Sequence, residues 1–283
     1  MNPSQNTLFD LQNLCILNIL GDNAATYLQG QLSCDVEAVN AEHMRPSVFC
    51  NLKGRILALP DVLQFNQILR LILPVDLLEK TQKSLSKTAA LSRVKLEQET
   101  NYHIFGFYLE DINQPLPFEG LWPTEKHAVL ISNNNCAYYL GDNCYILLVH
   151  KNNLNQIKAT QNIAAWHALR LKHGEIQIHP ESRGLFLPHR LGLHLSGHIN
   201  FNKGCYRGQE IIARMHYKAK HKHALKIFTI ETNKPLQPGL RLMNQDNTQE
   251  IGELVDYCLI NNNQYLIAAS VLTHITDGQT LSF

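Results

Sequence analysis

Residues 201–214, reading Phe-Asn-Lys-Gly-Cys-Tyr-Arg-Gly-Gln-Glu-Ile-Ile-Ala-Arg, concentrate the side chains best suited to chemistry. Gly204 and Gly208 flank Cys205 and Tyr206, so a bent backbone there would hold the thiol near a surface. Lys203 and Arg207 each stand two residues from Cys205, and a nearby cation favours the thiolate and lowers a cysteine's pKa. A short helix starting near Gly208 would add its N-terminal amides to that effect. On this reading Cys205 is a functional thiol kept ionised by Lys203 and Arg207. Gln209 and Glu210 fix the loop, and Arg214 holds an anion. Composition leaves open the alternative of a tight turn in which a small Cys205 simply packs.

Between positions 203 and 226 the basic residues are Lys203, Arg207, Arg214, Lys218, Lys220, Lys222 and Lys226, against one acid, Glu210. Such a stripe attracts anions, and it serves equally as a solvated face. The formal net charge is only +1, so no global field calls for nucleic acid. Aromatic residues are not interleaved through the stripe, which argues against direct RNA recognition. Nine of the 14 histidines lie between His167 and His223. The tract His221-Lys222-His223 offers no metal site, because Lys220 and Lys222 repel a cation. His167 and His173 read as helix-surface residues rather than ligands.

These residues need a scaffold, and 283 residues suffice for about two domains at roughly 150 residues each. A hydrophobic share of 45% and a charged share of 17% are those of a soluble globular chain. No apolar run reaches the roughly 18 residues of a membrane span, and the polar N-terminus lacks a secretory pattern. Seven cysteines with no Cys-x-x-Cys pair fit a reducing, cytoplasmic compartment. Six read as buried small hydrophobes, with Cys205 the exception.

Periodicity predicts strands at 14–20, 47–51, 55–65, 67–73, 102–109, 126–132 and 144–150, and helices at 24–36, 75–88 and 152–173. The last helix ends at Gly174, a C-cap signal. Residues 114–123 read as a loop, residues 133–135 as an asparagine turn, and residues 176–202 as irregular. After Ala224, strands at 225–231, 250–260, 264–272 and 280–283 alternate with turns at Pro238-Gly239, residues 261–263 and Asp277-Gly278. This is the pattern of a small barrel. The whole is α+β: one mixed unit at 1–95, free to interleave with a second at 96–223, and the β unit at 224–283.

Lys203-Gly204-Cys205-Tyr206, then Gly208-Gln209-Glu210 and Ala213-Arg214, resembles the signature of the YgfZ family. Gly21-Asp22 with residues 27–36, Tyr-Leu-Gln-Gly-Gln-Leu-Ser-Cys-Asp-Val, is similar to that family's N-terminal block, and residues 50–56, Cys-Asn-Leu-Lys-Gly-Arg-Ile, to its next one. Ordered similarity covers most of the chain. The family is related to the glycine-cleavage T-protein, a tetrahydrofolate-dependent aminomethyltransferase.

The resemblance implies a T-protein-like three-domain ring with a C-terminal barrel and tetrahydrofolate, or a derivative, in a central opening. It implies support for iron–sulfur enzymes such as those that methylthiolate tRNA. It places Trp166, Lys203, Tyr206, Gln209, Glu210 and Arg214 at the folate, with Trp166 otherwise a core residue of its helix. The sequence departs from the family at Leu14, where a second folate-associated tryptophan stands, at His189 and Gly192, which replace a Gln and an Asn, and at Lys218-Ala219, which replaces Arg-Gly. In T-proteins an acidic pair follows the block matching residues 53–56. Here Leu57 and Ala58 occupy those positions and cannot accept a proton. Aminomethyl transfer is therefore the alternative and not the leading reading.

Overall fold

A computed structural model of the chain describes residues 7–111, 116–157, 159, 162–244, 246 and 248–275. These fall into two compact units that interleave along the sequence. The first takes Met1–Gly30, Asp35–Ser47 and Pro60–Trp166, and the second Gln31–Cys34, Val48–Leu59 and His167–Phe283.

The first unit holds two antiparallel five-stranded sheets. One runs in the order Thr7–Asp10, Tyr102–Tyr108, Cys144–His150, Asn135–Gly141, Val129–Ser132. The other runs Arg45–Pro46, Asp61–Phe65, Ile68–Pro74, Leu14–Leu20, Lys95–Glu99. Leu14–Leu20 is paired on both sides and its inner five residues are all buried, which explains an apolar run broken only by Asn18, whose side chain donates to Glu99 at 3.1 Å. The helix Val75–Ala89 buries Leu77, Thr81, Leu85 and Ala89, spaced four apart along one stripe. Asp76 in its first turn and Lys87 in its last suit the helix dipole.

Several elements differ from the sequence expectation for identifiable reasons. The strand Asn135–Gly141 was hidden between two predicted ones, because Asn133-Asn134 and Asp142-Asn143 each make a two-residue turn with φ positive at both positions. The expected helix at 24–36 stops after Ala24–Gln29. There the Gln29 side chain donates to Asp35 at 2.8 Å and accepts from the Val36 amide at 2.8 Å. The expected strand at 55–65 is two, Ile56–Ala58 and Asp61–Phe65, parted at Pro60, which has no amide hydrogen to donate. The helix expected over 152–173 spans only Ile163–Lys172. Upstream, Lys151–Gln156 forms a separate 3-10 helix, capped by the His150 side chain accepting from the Asn152 amide.

In the second unit the strands His223–Glu231, Gln264–Leu272, Glu250–Asn261 and Arg241–Met243 form one antiparallel sheet in that order. Phe228, Leu242, Leu254 and Ile267 fill its core. Two further elements belong to this unit, the ribbon of Phe49–Cys50 with Ile56–Ala58 and the helix Gln209–Lys218. The expected strand at 280–283, the turn Asp277-Gly278 and part of the loop at 114–123 lie outside the described residues. Among the described residues no helix is long and apolar enough to cross a membrane.

Candidate functional site

The three motif-bearing stretches contribute residues that meet inside the second unit. Residues 51–55 close the ribbon as a turn ordered by Asn51. Its side chain accepts from the amides of Lys53 at 2.9 Å and Arg55 at 3.0 Å. Residues 184–186 extend the ribbon. The Ile56 amide donates to Phe186 at 2.9 Å, the Gly184 amide donates to Ile56 at 2.7 Å, and the Arg55 guanidinium donates to the Leu185 carbonyl. On the other side Leu32 bridges Phe49. Buried Ser33 accepts from the Val48 amide at 2.8 Å and donates its hydroxyl to the His198 carbonyl at 2.7 Å.

The 203–214 segment locks onto this frame. Gly208 precedes the helix Gln209–Lys218 at φ +83°, the left-handed region that glycine tolerates. A Cβ at that position would lie 2.5 Å from the Asn51 carbonyl and 3.0 Å from the Gly54 Cα. Gln209 turns back to accept from the Tyr206 amide at 3.3 Å. Lys203 donates its ammonium to the carbonyls of Leu32 and Cys34, each at 2.8 Å, and lies 5.3 Å from the centre of the Tyr206 ring. That cation ties the loop to residues 32–34, a structural task beside the thiolate-stabilising one read from sequence. Arg207 lies 5.4 Å from the centre of the Phe49 ring. Burial pushes the Cys50 thiol up, and Arg207 partly offsets it.

Cys205 is exposed, and the other six cysteines are buried, as the sequence led us to expect. Glu210 and Arg214 are exposed on the helix, with Glu210 in its first turn. Tyr206 is buried, and its hydroxyl has no hydrogen-bond partner among the described residues. Burial, and then Cys50, push that phenol well above its usual range. Leu57 and Ala58 are both buried and apolar, so these positions supply no base.

Trp166 belongs to the first unit and is 5% exposed. Its ring centroid is 5.2 Å from that of Phe9, and it lies against Gly106, where a Cβ would come within 2.6 Å of the indole. The core role left open by the sequence is the one these contacts describe.

Two histidine groupings in the second unit escaped the sequence reading. His189 is 2% exposed, with ring centroids of His194 at 4.7 Å, His221 at 5.0 Å and His216 at 6.1 Å. Neither of its ring nitrogens has a partner among the described residues. Burial, and then His194, His221 and His216, lower its pKa from 6.5 to about 4. The second grouping corrects the surface role expected for His167. Its Nε2 lies 2.9 Å from the fully buried carboxylate of Asp256, and His179 Nε2 lies 2.7 Å from the other oxygen. Burial alone would raise the Asp256 pKa, yet hydrogen bonds from the two histidines, and their charge, hold it down at about 2. The density of histidines between 167 and 223 was the available signal, but no helical or strand period relates their positions.

No protein-family model matches the chain. The tRNA-modifying protein YgfZ of Colwellia psychrerythraea is 24% identical over 273 residues, covering 93% of this chain and 84% of that protein. The tRNA-modifying protein YgfZ of Yersinia pseudotuberculosis is 26% identical over 229 residues, covering 77% and 69%. Among solved structures, the glycine cleavage system aminomethyltransferase T from Bartonella henselae matches with a TM-score of 0.70 at 14% identity, covering 95% of this chain and 78% of that one. The fold is thus of the T-protein class. Along most of its length the chain is similar to proteins named YgfZ.

Proposed function

We propose that this protein is a cytoplasmic, tetrahydrofolate-binding accessory factor that supports iron–sulfur enzymes of tRNA modification, including those that methylthiolate tRNA. The observation that carries the reading is the exposed Cys205 on a loop held by Lys203 to residues 32–34, packed through Gly208 against residues 51–54 and closed on itself by Gln209. A loop this firmly held presents the thiol to a partner in one geometry. The residues suit a folate. The buried Tyr206 hydroxyl and His189 ring nitrogens are polar atoms of the kind a pterin's amide edge pairs with, and burial without a partner costs about 1–3 kcal/mol. Arg214 is an exposed cation suited to a glutamate carboxylate. Bound folate would supply one-carbon chemistry, and these residues bind and orient it. Glu210 steadies the loop from the first turn of the helix, and Trp166 shapes the first unit's share of the fold. The three-domain ring, with boundaries at 95 and 223, and a closed C-terminal barrel belong to the same reading.

The test is calorimetric titration with tetrahydrofolate and 5-formyltetrahydrofolate, together with Cys205→Ala scored by methylthiolated nucleosides in cellular tRNA. Binding of a reduced folate and a loss of methylthiolation are expected. No heat with either folate removes the cofactor, and unchanged methylthiolation removes Cys205 from the mechanism. The alternative, aminomethyl transfer, is disfavoured by buried, apolar Leu57 and Ala58, and formation of methylenetetrahydrofolate from an aminomethyl-lipoyl carrier would restore it.

A further inference from the structure

The outer face of the helix Gln209–Lys218 carries an arrangement that the linear sequence conceals. Ile212 points inward, while Arg214, Tyr217 and Lys218, spaced three and four apart on one face, are exposed. Lys220 and Lys222 continue the stripe, also exposed, beyond the last helical turn. Lys218 suits the helix C-terminus by charge, but that argument does not reach Lys220 or Lys222. Among the described residues no carboxylate forms an ion pair with Arg214, Lys218, Lys220 or Lys222.

Aromatic rings interleave with these cations in space. Phe201 stacks on His216 with centroids 3.8 Å apart and planes 16° apart. Tyr217 meets both edge-on, 6.2 Å from Phe201 and 4.7 Å from His216, and is 67% exposed. Cations that track phosphates beside rings that accept bases are the two elements of single-strand recognition. An anionic membrane would call for a row of exposed aliphatic side chains, and this helix offers none, Ile212 being buried and Ile211 and Met215 half-buried.

We propose that this face binds single-stranded RNA directly, with Lys218, Lys220 and Lys222 on phosphates and the rings of Tyr217 and His216 against bases. The inference rests on the tRNA-linked reading above and changes it from indirect support to contact with an unpaired RNA segment. The test is fluorescence anisotropy with a labelled unstructured RNA oligonucleotide and an unmodified tRNA transcript across a salt series. It uses the wild type, the triple variant K218A/K220A/K222A and Tyr217→Ala. All four positions are exposed, and circular dichroism checks that each variant folds. Wild-type affinity should fall steeply with salt, and the triple variant's slope of log K against log salt should be shallower by about 2. Tyr217→Ala should weaken binding by about tenfold. Salt-insensitive or absent RNA binding, variants that bind as the wild type does, or sedimentation with phosphatidylserine vesicles in place of RNA binding would each overturn the proposal. Tetrahydrofolate calorimetry on the same proteins reads the folate site separately, so either reading can fail while the other stands.

Discussion

The carbonyl oxygen of Asn51 lies so close to the α-carbon of Gly208 that a methyl group added there would sit 2.5 Å from it. Because Gly208 also has φ +83°, an alanine would meet left-handed strain of about 1–2 kcal/mol on top of a clash with backbone. Gly208→Ala is expected to destabilise the protein by about 2 kcal/mol or more, read from urea midpoints. A midpoint equal to the wild type's would show that the 203–208 loop shifts freely off residues 51–54.

Gly106 and Trp166 make a second such pair, in the first unit. A Cβ at Gly106 would come within 2.6 Å of the indole, so Gly106→Ala must displace a ring buried against Phe9. Overpacking of this kind costs about 1–3 kcal/mol. Lower thermal stability with a shifted tryptophan emission is expected, and retention of both wild-type values would mean the ring has room that the packing does not show.

Cysteine labelling probes exposure directly. With six of the seven thiols buried, native protein should react with an aromatic disulfide reagent at one site, and Cys205→Ala should abolish that fast phase. Denatured protein should release seven equivalents. A native fast phase that survives in Cys205→Ala would assign the exposed thiol elsewhere.

Acid should weaken the second unit in two windows. His189 titrates at about 4 when folded and 6.5 when unfolded, so the unfolded chain binds more protons between those values. Its contribution is complete above pH 6.5 and disappears as pH falls to 4, at most about 3 kcal/mol. Asp256, held at about 2 against an ordinary 3.8, adds a loss below pH 3.8. Urea midpoints at pH 7.5, 5 and 3.5 should fall in turn, and His189→Leu should flatten the first step and the upper part of the second, leaving the Asp256 loss below pH 3.8. An unchanged first step in that variant would exclude His189 as its source.

Much of the site was legible because its chemistry is local. Gly204, Cys205 and Gly208 announce a bent loop bearing a thiol, and Gly208 opens a helix where an N-terminus was expected. The task of Lys203 was not legible, since the carbonyls of Leu32 and Cys34 that it binds are backbone atoms brought in from far away. The strand Asn135–Gly141 was missed because its flanking turns are two residues long, although Gly141-Asp142-Asn143 was a usable signal. His189 and its neighbours meet through irregular chain, and no periodicity can bring His194 and His221 together.

Residues 31–34 and 48–59 leave the ribosome early but pack with partners after His167. Ser33 waits for His198, Ile56 for Phe186, and the turn at Asn51 for Gly208. The thiol-bearing unit is thus completed only when most of the polypeptide has been synthesised, so a nascent chain arrested before residue 208 carries early segments whose partners do not yet exist. A C-terminal fragment beginning at 167 would lack the ribbon that shapes the Cys205 loop, and no simple truncation can isolate that thiol in its native setting.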